Sequence, residues 1–173
     1  GVTTIGNDAF AGCAGLSSLV IPSSVTEISN SAFYGCCGLE YIEVDDGNIT
    51  YDSRNDCNAI IKTATNELVA GSANTVVPSD ITSIGVGAFS DRTGLEELVL
   101  PNSLRSIGSS AFKNCINLES INIPDGVTSI GYSAFEGCEK LSRVTIPDTV
   151  TKIGHYAFHY CKSCIVRLDY KYS

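Results

Sequence analysis

All six phenylalanines of this chain fall in one column of an internal repeat: Phe10, Phe33, Phe89, Phe112, Phe135 and Phe158, each directly after an alanine, from Ala9 to Ala157. The units begin at Val2, Val25, Ile81, Leu104, Val127 and Val150, and neighbours within each regular run lie 23 residues apart. A second column holds Ile5, Ile28, Ile84, Ile107, Ile130 and Ile153. Side chains repeated at a fixed period stack above one another if each unit makes one turn of a coil. Each ring buried against the next is worth roughly 1.5–3 kcal/mol. One continuous internal spine of rings is therefore expected.

Within a unit the strand is the stretch GLSSLVIP, GLEYIEV, GLEELVLP, NLESINIP or KLSRVTIP. Alternation points Leu95, Leu98 and Leu100 inward, with polar or small residues between them. Pro22, Pro101, Pro124 and Pro147 end the strand because proline has no amide for the next ladder bond. Gly6, Gly85, Gly108, Gly131 and Gly154 follow the isoleucine column, where a turn is expected to need permissive backbone angles. The SSAF-type segments are too short for a full helix and suit a 3₁₀ or single-turn element on the opposite side.

These columns, C/N-xx-L-xx-I-x-I-P-xx-V-xx-I-G-xx-A-F, resemble the BspA-like, or Treponema-type, leucine-rich repeat over essentially the whole chain. The resemblance implies a right-handed leucine-rich-repeat solenoid with a parallel β-sheet on one face and short 3₁₀ or irregular segments on the other. It also implies a cell-surface or secreted setting and an adhesive role toward host or neighbouring-cell partners.

The chain reads as a single domain, residues 1–173, with regular repeats at 2–47 and 81–149 and a C-terminal cap-like repeat at 150–173. Residues 48–80 form a 33-residue irregular unit. There, AIIKTA and ELVAGS flank Thr65-Asn66, which predicts a strand, a tight turn and a returning strand. In the last unit, Val166 and Leu168 predict a one-residue slip that turns Arg167 and Asp169 outward. The chain opens on Gly1 with the repeat under way at Val2, so it is expected to be a fragment whose signal and anchor lie elsewhere.

Charge narrows the partners. A net charge of -8 and a pI near 4.6 repel phosphate backbones and anionic lipid, so nucleic acid is not an expected partner. Apolar runs of a few residues give no direct membrane insertion.

Cys13, Cys36, Cys115, Cys138 and Cys161 share one column, in which Arg92 fills the third regular unit. Disulfides compete here with a buried thiol ladder. Side chains stacked in parallel point alongside rather than at one another, which favours free, inert thiols. His155, His159, Cys161 and Cys164 offer zinc-type ligands, but the repeat sends the cysteines inward and the histidines to variable positions, so no metal is expected. The stretch Asp52–Asn58 lacks the spacing of a calcium loop. No nucleophile elbow or phosphate loop appears, and Asp45-Asp46 and Glu96-Glu97 are adjacent pairs that face opposite ways on a strand. No catalytic residues and no cofactor are expected; the chain is not read as an enzyme.

On a solenoid the variable positions carry recognition. One outward row reads Ser18, Tyr41, Glu97, Ser120 and Arg143, the next Val20, Glu43, Val99, Asn122 and Thr145, and a third Ser17, Glu40, Glu96, Glu119 and Ser142. The expected partner site is this polar, acidic face, with Tyr41, Glu43, Glu97, Val99, Asn122, Arg143 and Thr145 as contacts for a protein or glycan. A monomer is expected. The alternative is a passive stalk or spacer within a larger surface protein.

Overall fold

The computed structural model describes residues 1–169, so the last four residues of the cap-like unit lie outside it. The first two units give β1 (Thr4–Ile5), β2 (Ser18–Ile21), β3 (Glu27–Ile28) and β4 (Tyr41–Val44). The irregular unit adds β5 (Tyr51–Asp52), β6 (Ala59–Lys62) and β7 (Glu67–Gly71). The remaining units give β8 (Ser83–Ile84), β9 (Glu97–Leu98), β10 (Ser106–Ile107), β11 (Ser120–Ile121), β12 (Ser129–Ile130), β13 (Arg143–Ile146), β14 (Lys152–Ile153) and β15 (Ile165–Leu168). Together they form a β-solenoid of about seven turns with parallel strands.

Equivalent positions pair in register, Glu97 with Ser120 and Ser120 with Arg143 on one face. A second parallel ladder, which the sequence reading did not separate out, runs through the isoleucine column: Ile84, Ile107, Ile130 and Ile153 are successive partners in β8, β10, β12 and β14. The third side is made of irregular turns rather than helices, and among the described residues the one 3₁₀ element is Arg54–Asp56. Continuous helix is blocked there by left-handed residues. Ser110 and Asn114 sit at φ 55° and 57°, as do Ser133 and Gly137 one unit later at 52° and 74°. This side is also bonded turn to turn, with the Phe89, Phe112 and Phe135 amides donating to Ala111, Ala134 and Ala157 at 2.7 Å.

The phenylalanine column is stacked, with Phe33, Phe89, Phe112 and Phe135 buried and Phe10 and Phe158 half-buried at the ends, but in two stacks rather than one spine. Phe10 lies 5.6 Å from Phe33; Phe89, Phe112, Phe135 and Phe158 follow at 5.2, 5.1 and 5.2 Å. The gap falls at the irregular unit, whose Gly71 donates to Ala88 as a phenylalanine amide does elsewhere but brings no ring. Phe89 packs directly against the Gly71 backbone, in the space a side chain there would need. The buried apolar core divides at the same place into two clusters.

The glycine column has a different cause from the one expected. Gly108, Gly131 and Gly154 do not adopt left-handed angles. They are glycine because the turns lie too close for a methyl group: a Cβ on Gly131 would sit 2.6 Å from the Gly108 carbonyl carbon, and one on Gly108 would sit 2.7 Å from that of Gly85.

The irregular unit folds as its sequence predicts. β6 and β7 pair antiparallel about Asn66, which turns at φ 52°, and β7 pairs parallel with β8 to hand the chain back to the coil. At the far end Val144 pairs with Val166 and Ile146 with Leu168, the expected slip of one residue from the 23-residue register. Arg167 thereby falls opposite Thr145.

Candidate functional site

The residues expected to face a partner all project outward, because their strand neighbours are committed to the core. Ile42 and Val44 on β4 are buried, while Tyr41 and Glu43 between them are exposed. Leu98 and Leu100 are buried on either side of Val99, which is 82% exposed. Asn122 and Arg143 are exposed, and Thr145 is half-buried. Tyr41 donates to Glu43 Oε2 at 2.7 Å, a bond that raises the tyrosine pKa above its ordinary value of 10.0.

The face is not continuous. Glu97, Arg143 and Thr145 lie in the sheet β9–β11–β13–β15, with Val99 and Asn122 one residue past the ends of β9 and β11, whereas Tyr41 and Glu43 lie on the two-stranded sheet β2–β4. The irregular unit stands between them. Its side chains finish the free edge of β4: Asn58 Oδ1 accepts from the Ile42 amide at 3.3 Å, and Ser53 Oγ accepts from the Val44 amide at 3.0 Å. Glu43 instead borders a polar hollow of about 250 Å³ that includes Asp45, Asp46, Asp52 and Asp56. Asp52 is engaged there by Arg54 at 2.6 Å and by Thr63 at 2.7 Å. Burial acts to raise the Asp52 pKa, and the hydrogen bonds from Arg54 and Thr63 outweigh it, holding the carboxyl below its ordinary 3.8.

The cysteine column is a hydrogen-bond ladder of free thiols. Cys36, Cys115, Cys138 and Cys161 each donate from Sγ to the carbonyl of the phenylalanine one turn back (Phe10, Phe89, Phe112 and Phe135) at 3.0–3.1 Å. Burial pushes the Cys115 thiol up to about 12 and Cys161 to about 11. Cys13, on the first turn, is exposed. Where Arg92 replaces cysteine, its side chain is fully buried. Nε donates to the Gly71 carbonyl at 2.8 Å, the same bond a thiol makes in a regular turn, and Nη1 reaches Ser90, Cys36 and Phe33 carbonyls at 2.9, 3.2 and 3.3 Å.

His159 packs outside the coil between Tyr156 and Tyr160, at ring distances of 5.2 and 3.9 Å, while Cys161 is drawn inward. Among the described residues, no three His, Cys, Asp or Glu side chains are grouped to hold a metal ion. Tyr132 joins this aromatic cluster edge-on to Tyr156 at 5.7 Å. The cluster went unnoticed in the sequence. Its signal was that Tyr156 and Tyr160 occupy the two left-handed positions, φ 61° and 58°, that other units mostly fill with Gly, Asp, Asn or Ser.

The sequence family described as the BspA type leucine rich repeat region matches in six copies, over residues 1–67 and 70–171. A leucine-rich repeat protein from Eubacterium ventriosum is 25% identical, with a TM-score of 0.75, covering 96% of this chain and 52% of its own. A leucine rich cell surface protein from Faecalibacterium prausnitzii is 30% identical, with a TM-score of 0.70 over 98% of this chain and 52% of its own. A leucine-rich repeat protein from Bacteroides ovatus is 30% identical, with a TM-score of 0.63 over 98% of this chain and 41% of its own. The chain thus spans about half the length of these solved relatives or less. No curated protein matches it. Among the described residues no helix is long and apolar enough to cross a membrane.

Proposed function

The chain belongs to the BspA-type leucine-rich repeat family, and from that premise we propose that it is a non-catalytic binding module of a bacterial surface protein. Its partner is a protein or glycan of a host or neighbouring cell. The observation that carries this reading is the contrast along each strand. Inward positions repeat the same aliphatics, whereas the exposed positions between them read Tyr41, Glu43, Glu97, Val99, Asn122 and Arg143 on a rigid frame. A rigid frame loses little entropy on binding, so exposed side chains on it convert contacts into affinity. The cell-surface relative from Faecalibacterium prausnitzii supports the setting. A non-catalytic role accords with the cysteine ladder, since thiols held protonated by burial are poor nucleophiles.

The test is a protein and glycan array probed with the whole chain and with a Tyr41→Ala, Glu43→Gln, Glu97→Gln variant. Loss of at least tenfold in affinity for a captured partner supports the face. Unchanged binding removes these residues from the site, and the absence of any partner leaves a spacer as the role.

A further inference from the structure

The interruption of the sheet has two edges, and they are treated differently. β4 is closed off by Asn58 and Ser53, which accept its free amides. β9 is not. It is the terminal strand of its sheet, bonded to β11 on one side. The segment that should continue the ladder on its other side is 74–77, since Pro78 and Ile81 make the same turn as Pro101 and Leu104. Among the described residues no backbone hydrogen bond joins 74–77 to β9; the Val76 amide turns away to the Cys57 carbonyl at 3.0 Å. Between the two runs an apolar groove of about 420 Å³, lined by Val76, Val77, Leu98, Val99 and Pro101 among others. Val76 is 72% exposed and Val99 82%.

An unpaired strand edge is a template for another strand; covering side chains close such an edge to any strand, whereas charge closes it only to strands of like charge. Here one edge is covered and the facing one is open beside two bare valines. We propose that the β9 edge is a docking site for an extended segment of a partner protein, which adds backbone hydrogen bonds to β9 and places an aliphatic side chain between Val76 and Val99. The segment carries lysine or arginine at its alternate positions. Glu96 and Glu97 are exposed at the edge itself and Glu119 on the neighbouring turn, so a cationic strand is attracted and a neutral one is not. The same charges disfavour a second copy of this chain, because joining two β9 edges brings Glu96 and Glu97 of each against the other in a chain of net charge -8. Backbone pairing supplies affinity in such complexes, and side-chain pockets supply selectivity.

This inference rests on the binding-module reading and narrows its partner to a basic extended peptide. The probe is a blocked heptapeptide of alternating lysine and valine, titrated into the whole chain and followed by amide spectra and hydrogen exchange. Expected are saturable binding, slowed exchange at Glu97 and Val99, whose amides face away from β11, and at least a tenfold loss when alternate peptide amides are N-methylated on the pairing edge. A Val76→Ser, Val99→Ser variant is expected to weaken binding at least fivefold while its circular dichroism stays unchanged, since both side chains are exposed. No binding, equal binding of the N-methylated peptide, or equal binding by the serine variant overturns the proposal. Should an array partner be captured through Tyr41 and Glu43 while the peptide is ignored, this proposal falls and the module reading stands. Should neither bind, both fall.

Discussion

The guanidinium of Arg92 reaches past the adjoining turn to the carbonyl oxygen of Phe33, 3.3 Å from Nη1 and 59 residues back in the chain. A cysteine at that position could bond only the nearer turn, as Cys115 does with Phe89. Because the irregular unit supplies Gly71 but no ring, a longer side chain is needed to tie together the turns on either side. Burial lowers the Arg92 pKa, and among the described residues no carboxylate hydrogen-bonds the guanidinium; four carbonyls do. Arg92→Cys, which restores the repeat pattern, is therefore expected to destabilise by about 2–4 kcal/mol, because it leaves buried carbonyls without donors. Urea unfolding measures this, and a variant as stable as the parent would sink the account.

Phe112 is fully buried between two rings, whereas Phe10 on the first turn stacks on one side and is half-buried. Phe112→Ala should cost about 3–5 kcal/mol through lost burial and a cavity. Phe10→Ala should cost well under half as much. Equal losses would mean that the stack does not behave as an internal spine.

Gly131 and Gly6 share a column but not an environment. Gly131→Ala presses a methyl group into the Gly108–Ser109 backbone, and about 1–3 kcal/mol of destabilisation is expected. At Gly6 nothing lies within 4 Å of a Cβ, so Gly6→Ala should change the unfolding midpoint little. Thermal melts of the two variants provide the comparison.

The buried thiols make stability depend on alkaline pH. Cys115 and Cys161 are raised by burial from 9.0 to about 12 and about 11. Unfolded thiols therefore release protons first, so the stabilisation is complete below pH 9 and is lost as pH rises through about 11 to 12. Alkylation at pH 8 should label exposed Cys13 rapidly and Cys115 only on unfolding. Rapid native labelling of Cys115 would contradict its placement.

Tyr160 holds a left-handed φ of 58° and is 67% exposed. Asparagine tolerates that conformation better, so Tyr160→Asn should stabilise by about 0.5–1 kcal/mol, less whatever the His159 contact contributes. A loss of stability would show that the ring contact outweighs the backbone strain.

Much of this molecule was legible because a repeat writes the same instruction at every turn. The phenylalanine, isoleucine and cysteine columns could be placed inward from spacing, and so could the outward position of Glu97, Asn122 and Arg143. Asn66 marked its own hairpin. The glycine column was legible as a pattern but not as a cause: sequence does not distinguish a left-handed angle from two backbones in contact, and only the second holds for Gly131. Likewise the strip from Tyr41 to Arg143 read as continuous because strands with equivalent sequences were assumed to be neighbours.

What the sequence determined by itself is the coil, its register and the identity of its inner columns, since stacking of identical units is a short-range periodic code. Tertiary structure alone decided what happens where the period breaks: two ring stacks instead of one, Arg92 spanning them, β4 closed and β9 open. Those outcomes depend on which backbone groups the irregular unit leaves within reach of residues many positions away. Hydrogen-bond donors and acceptors must be satisfied in three dimensions, and no one-dimensional spacing records which of them meet.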